Sequence, residues 1–391
     1  MGQDPFGEIP LFKEIQRLLA GGSGPINLEI ARQVAASTVE SGGTADPELG
    51  KRFSEAVLEA EVLLSGYSRL ALDERAQTTI LSRAEWVTST LEAWNWVFER
   101  LATRFTAVFD QGGEAAGTPE MAGGMLGQVV PLLMGLQVGT LVGHLAEDIL
   151  SRFDLPIPRD DDGRLFLVAN NADAVATAYG FDKGDLVKWL ALQEACRRLI
   201  LENSAWARSY FRSVVAELVD SVEIDLGDIE RRMMEMQSQG AEAMQDLAGA
   251  GALPVVSTPR HEAALERYRA FVSLFEGYAT HASLAVAKEW LEGAARIQEG
   301  MVRRAASPSE GQAALQNVLG LSFDRAMTSA GTTFCNAIVQ MKGLAALNQV
   351  WAAPDNLPTP EEIRDPFAWI ERVLDGPSDP ELDDLSPPES S

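Results

Sequence analysis

Asp185-Leu-Val-Lys-Trp-Leu-Ala-Leu-Gln-Glu-Ala-Cys-Arg-Arg-Leu-Ile200 decides the fold class of this chain. Its apolar residues return at Leu186, Trp189, Leu190 and Leu199, the spacing of a helix face, and Gly184 and Asp185 suit a helix start. Working outward, the same spacing of three and four runs through 56–71, 76–109, 206–222 and 261–301. The chain is therefore expected to be mainly α. One stretch departs from this pattern. Leu165-Phe-Leu-Val-Ala169 is brief, apolar and bounded by Asp160-Asp-Asp-Gly163 and Asn170-Asn171, which predicts a small β element near 165–169.

At 391 residues, 46% hydrophobic and 23% charged, the chain can bury a core of one large or two ordinary domains. Asp and Glu number 57 against 32 Lys and Arg, a formal net charge of -25. Such a surface repels phosphate backbones and anionic lipid, which argues against nucleic acid as a partner. Cys196 and Cys335 cannot form a disulfide framework and have no C-x-x-C spacing. With no basic-then-apolar leader at the N-terminus, the expected location is the cytoplasm. Residues 121–146 carry no charge and are long enough for a bilayer, with Gly135, Gly139 and Gly143 at small-xxx-small spacing. Pro131, the acidic flanks Glu120 and Glu147 and the lack of a Lys/Arg cluster argue instead for a buried central helix pair, and against a membrane partner.

Glycine-rich breaks at 21–25, 41–44 and 111–119 divide an N-terminal helical region, 1–120, into blocks. A helical core is expected over 121–375, followed by a disordered acidic tail at 376–391, rich in Pro, Asp, Glu and Ser. Between 233 and 259 the composition shifts to Met, Gln, Gly and Ala, which reads as a mobile connection or lid. Met233, Met234, Met236 and Met244 in it have the spacing of ordinary core packing.

The chemistry is concentrated on the opening helix. An H-E-x-x-H helix aims two imidazoles, at positions i and i+4, toward one zinc ion, while the intervening Glu activates water. Gln193-Glu194-Ala195-Cys196-Arg197 has this spacing with Gln and Arg at the ligand positions. Downstream, Phe275-Glu276-Gly277-Tyr278-Ala279-Thr280-His281 places a carboxylate and an imidazole inside another apolar helix, where both need partners. A weaker arrangement pairs Cys196, its thiol pKa lowered by Arg197, with His281 as base; the plainer reading of Cys196 is a small buried hydrophobe. His144 and His261 read as hydrogen-bonded structural residues. No phosphate loop follows a strand, and no G-x-S-x-G occurs.

Six segments in order carry a resemblance: Asp4-Pro-Phe-Gly-Glu-Ile-Pro-Leu-Phe12, Ser82-Arg-Ala-Glu-Trp86, Ile149-Leu-Ser-Arg-Phe-Asp-Leu-Pro-Ile-Pro158, the Gln193 to Arg197 helix, Glu276-Gly-Tyr278 with His281, and Asp365-Pro-Phe-Ala-Trp369. Over nearly its whole length the chain resembles the actinobacterial zincin-like metallopeptidase type 2 family, whose members are also described as candidate hydrolases. The resemblance implies a zincin-like helical core. It implies zinc in members with H-E-x-x-H, the water-activating carboxylate at Glu194, a third ligand at Glu276, and Tyr278 and His281 nearby.

The two histidine positions fall on Gln193 and Arg197, so the chain resembles a branch with a degenerate motif. Neither side chain replaces an imidazole nitrogen at ~2.0–2.1 Å from zinc, and an arginine brings its own positive charge to the place of a dication. The expectation is therefore no metal and no other cofactor. Arg197 would stand in for the cation, bonded bidentately to Glu276 and reaching Glu194. Alternatively, Arg197 and Arg198 face solvent and pair one turn away, as Glu194 with Arg198. The expected function is that of a pseudoenzyme, an inactive homologue binding a peptide or protein in a remnant cleft. Two alternatives stand beside it: an active metal-dependent peptidase with a non-standard ligand set, and a structural protein that packs through its Gly-rich helix or Met-rich segment.

Overall fold

The computed structural model describes residues 24–39, 46–115, 119–224, 255–256, 258–319 and 325–376. In chain order these form α1 (Leu28–Thr38), α2 (Pro47–Ser68), β1 (Thr78–Leu81), α3 (Arg83–Ala93), α4 (Asn95–Ala115), α5 (Pro119–Ala146), β2 (Leu165–Val168), α6 (Ala169–Tyr179), α7 (Lys183–Asn203) and α8 (Ala207–Asp220). The two-residue strands β3 (Glu223–Ile224) and β4 (Val255–Val256) follow, then α9 (Pro259–Trp290), α10 (Ala294–Ala305), α11 (Glu310–Leu319), α12 (Arg325–Lys342) and short helical turns to Asp375. The segment 4–12, the glycine-rich breaks at 21–23, 41–44 and 116–118, the Met-rich stretch through residue 254 and the tail beyond Gly376 lie outside the described residues.

The chain is mainly α, as its periodicity dictates, and the starts of the helices are written locally. The Asp182 carboxylate accepts from Asp185 N–H at the start of α7. Ser82 and Glu85 make a reciprocal capping box on α3, and Thr258 followed by Pro259 opens α9. β2 forms where the sequence predicts, although Ala169 already belongs to α6. Its parallel partner is β1, in register from Thr78 against Leu165 to Leu81 against Val168.

Two helical stretches need correction. The stretch 76–109 opens with β1, where Thr78, Thr79 and Ile80 favour a strand once β2 offers an edge, and it breaks again at Trp94. The stretch 261–301 is interrupted between Trp290 and Ala294. Residues 121–146 form one helix running through Pro131, not a helix pair. Its glycine stripe is filled by α1. A Cβ on Gly135 would lie 2.5 Å from Asn27 O, and one on Gly139 2.6 Å from Ala31 O, so only glycine permits this approach. Among the described residues no helix is long and apolar enough to cross a membrane.

The long α7 is buried along almost its entire length. It packs on α2 and α9, while α9 packs on α12 and α1 on α5, so the boundary expected at residue 120 is bridged by helices from both sides. Where α9 crosses α12 the backbones meet at Gly277 and Gly331. A Cβ on Gly277 would lie 2.2 Å from the Gly331 carbonyl carbon. This contact sets the depth at which the residue before it, Glu276, enters the interior.

Candidate functional site

Positions 193 and 197 are one turn apart on α7, and both side chains line a cavity of about 410 Å³ that Glu276 enters from α9. Arg197 meets Glu276 edge to edge: Nε donates to Oε1 at 3.0 Å and Nη2 to Oε2 at 2.5 Å. The side chains are only 12% and 15% exposed, so the pair is largely shielded from water. Burial alone would lower the arginine pKa, yet the facing carboxylate holds it above its ordinary value. The solvent-facing alternative does not describe this site. Arg198 is 7% exposed and pairs with Glu61 and Glu202, leaving Glu194 out.

Glu194 has a different environment. It is fully buried, is not among the cavity-lining residues, and accepts the Phe153 N–H at 3.1 Å through Oε1. Oε2 has no hydrogen-bond partner. Burial raises its pKa to about 7, against the opposing pull of Arg197, the Ser151 hydroxyl and the Phe153 amide. The expected reach of Arg197 to Glu194 is therefore electrostatic only; its hydrogen bonds go to Glu276. A carboxyl poised near neutrality suits proton transfer. Here, however, its hydrogen bond goes to a backbone amide, and it anchors the segment 151–156 against α7. The same segment is fastened to the sheet by a bridge from Ser151 to Leu167, and to α10 by Arg304 Nη1 donating to Asp154 Oδ1 at 3.3 Å.

Tyr278 and His281 are not brought into the cavity. The Tyr278 hydroxyl donates to Asn348 Oδ1 at 2.8 Å. His281 sits between Asn336 Oδ1, 2.6 Å from Nδ1, and the Tyr67 hydroxyl, 2.8 Å from Nε2. With the Asn336 carbonyl assigned as acceptor, Nδ1 carries the proton and Nε2 accepts from Tyr67; burial lowers the pKa and favours this neutral ring. Its partners are thus satisfied away from Glu276. The lowered thiol pKa expected for Cys196 is also overturned: the residue is fully buried, and burial pushes its thiol up to about 12, so it is no nucleophile near neutral pH. His261 Nδ1 lies 3.0 Å from the Ser221 hydroxyl, and His144 Nδ1 lies 3.7 Å from Glu310.

These residues do not fit zinc. At the motif they offer a neutral amide, a cation and a carboxylate already bound to that cation. Among the described residues no three His, Cys, Asp or Glu side chains are grouped to hold a metal ion. Of the positions singled out in the sequence, Gln193, Arg197 and Glu276 meet at this cavity, and Glu194, Tyr278 and His281 do not line it. The Phe153 amide beneath Glu194, the Gly277–Gly331 contact and the Arg304–Asp154 pair have no signal in local spacing.

The i, i+4 face of α7 is thus aimed at a carboxylate from α9. A model of the zincin-like metallopeptidase family matches residues 26–370, and the chain belongs to that family. Its fold is similar to a crystal structure from Chloroflexus aurantiacus described as a candidate hydrolase with a novel fold, at TM-score 0.65 and 23% identity, covering 89% of this chain and 98% of that one. Among curated proteins no match is found.

Proposed function

We propose that this chain is a non-hydrolytic zincin-like protein of the cytoplasm, in which an ion pair fills the place of the family's metal and the cleft beside it binds a peptide or protein partner. The bidentate Arg197–Glu276 bond carries this reading. A guanidinium in that position neutralises the carboxylate much as a metal cation would, but offers no open coordination position to polarise water. Burial of both thiols fits a protein that needs no disulfide.

Elemental analysis of the purified chain, together with a peptide-cleavage assay, tests the reading. Zinc well below one equivalent is expected, with no change in melting temperature on adding zinc and no cleavage above background. Stoichiometric zinc, lost together with cleavage activity in Glu194→Gln, would overturn the proposal in favour of a hydrolase with an unusual ligand set.

A further inference from the structure

Apart from the motif helix, the cavity has a wall built by α10, α11 and α12, and its chemistry is polar without net charge. From α10 one face lines it, through Gln298, Met301 and Val302, while the charged Arg296, Glu299 and Arg303 of the same helix are exposed to solvent. Arg304 is the exception on α10, and Asp154 matches it. Gln312 and Gln316, four residues apart, give α11 an amide-bearing stripe, and Thr332 and Thr333 line the cavity from α12.

The hydrogen-bonding capacity of this wall is only partly used. Gln298 and Gln316 are half-buried and bond to no other described residue through their side chains, yet their amides stay within reach of solvent. Gln312 accepts the Ser309 N–H at 3.3 Å through Oε1, which leaves both hydrogens of its Nε2 unspent. The Thr332 and Thr333 hydroxyls donate to the Thr328 and Ser329 carbonyls, at 2.8 and 2.9 Å, so each keeps lone pairs and has no proton to give.

These capacities narrow the ligand. A charged group would find Arg197 already matched by Glu276 and Arg304 by Asp154, and would stay unneutralised in a space partly shielded from water. An apolar group would strip water from three amides and return no hydrogen bond. Uncharged polar groups remain. A hydroxyl brings one proton, whereas a carboxamide brings two N–H donors for the lone pairs of the threonines and glutamines, and an oxygen for the Gln312 N–H.

Resting on the reading of the cleft as a peptide- or protein-binding site, we propose that the α10–α11–α12 wall is a specificity subsite that takes an asparagine or glutamine side chain of the bound partner, held by Gln298, Gln312 and Gln316. The volume of about 410 Å³ lies within the range of ligand sites that select by a few placed polar groups.

The test immobilises the full chain, equilibrates it with a randomised hexapeptide library and sequences the retained peptides. Asn and Gln together should be enriched about threefold or more at one position over their input frequency. In Gln298→Leu/Gln316→Leu that enrichment should vanish while the melting temperature is unchanged, because neither side chain belongs to the core. Gln316→Glu keeps the size of the side chain and adds a charge, so it should move the preference to Lys and Arg, a switch that a structural role would not give. Peptides retained by the parent without a preference for Asn and Gln, or with one that survives in either variant, overturn the subsite and leave peptide binding standing. A library that the parent does not retain at all takes down the peptide-binding reading, and the subsite with it.

Discussion

Two carboxylates surround Arg197, and the helices treat them oppositely. Glu276 projects from α9 into the cavity and takes the Nε/Nη2 edge of the guanidinium; Glu194, one turn earlier on α7, is fully buried, with its Oε1 accepting the Phe153 amide. The first is a charge matched by a charge. The second is pushed by burial up to a pKa of about 7, well above an ordinary carboxyl. One arginine, then, stabilises the carboxylate it can reach with matched geometry and only partly relieves the one it cannot. Within one turn of α7, the structure thus holds one ion pair and one anchor.

Breaking the first half of the comparison should have the largest effect. Arg197→Met leaves Glu276 buried without its partner and is expected to destabilise the protein by about 3–5 kcal/mol, read as a lower urea midpoint. Adding Glu276→Met should recover most of that loss; no recovery would show that the two side chains do not act as a pair.

The contact that seats Glu276 comes next. Gly277→Ala forces a methyl against the Gly331 backbone, and a loss of about 2–3 kcal/mol is expected because backbone cannot move aside as a side-chain tip can. An unchanged melting temperature would mean that α9 and α12 cross less closely.

The second carboxylate should respond with the opposite sign. Its folded pKa of about 7 lies above the ordinary value of 4.5, so the folded state keeps a proton the unfolded chain releases. Stability from this group is complete below pH 4.5, falls as pH rises toward 7, and stays low above it. Glu194→Gln fixes the neutral form. It should stabilise the protein by roughly 1–3 kcal/mol above pH 7 and flatten the pH dependence of unfolding across that window. A destabilised variant at pH 8 would count against the buried, proton-holding environment.

The smallest effect is expected at the thiols. Cys196 and Cys335 are both buried, so the native protein should leave an aromatic disulfide reagent unreacted over minutes and release both thiols only after unfolding. Rapid native labelling of Cys196 would reopen the nucleophile reading.

How much of this was legible depended on whether the signal was local. The α7 face and the β2 strand are read within one or two turns of chain, because the apolar positions and turn formers that define them are neighbours in sequence. β1 was absorbed into a helix reading because four residues with partial burial carry too little period; its state is set by a partner about 87 residues away. The cavity's charge balance was hidden for the same reason: Arg304 and Asp154 belong to segments with no common motif.

What the sequence determined alone is chemical identity at fixed spacing. It put Gln193 and Arg197 four residues apart on one helix, and no fold can turn a guanidinium into a zinc ligand, because it has donors and no lone pair to give. What the tertiary structure decided is which groups meet. α9 could seat Glu276 against Arg197 only because Gly277 and Gly331 let it approach α12 so closely, and Glu194 became an anchor only because the 151–156 segment was folded beneath it. Charges and hydrogen bonds act over a few ångströms, and distances of that size are settled by packing between helices far apart in the chain.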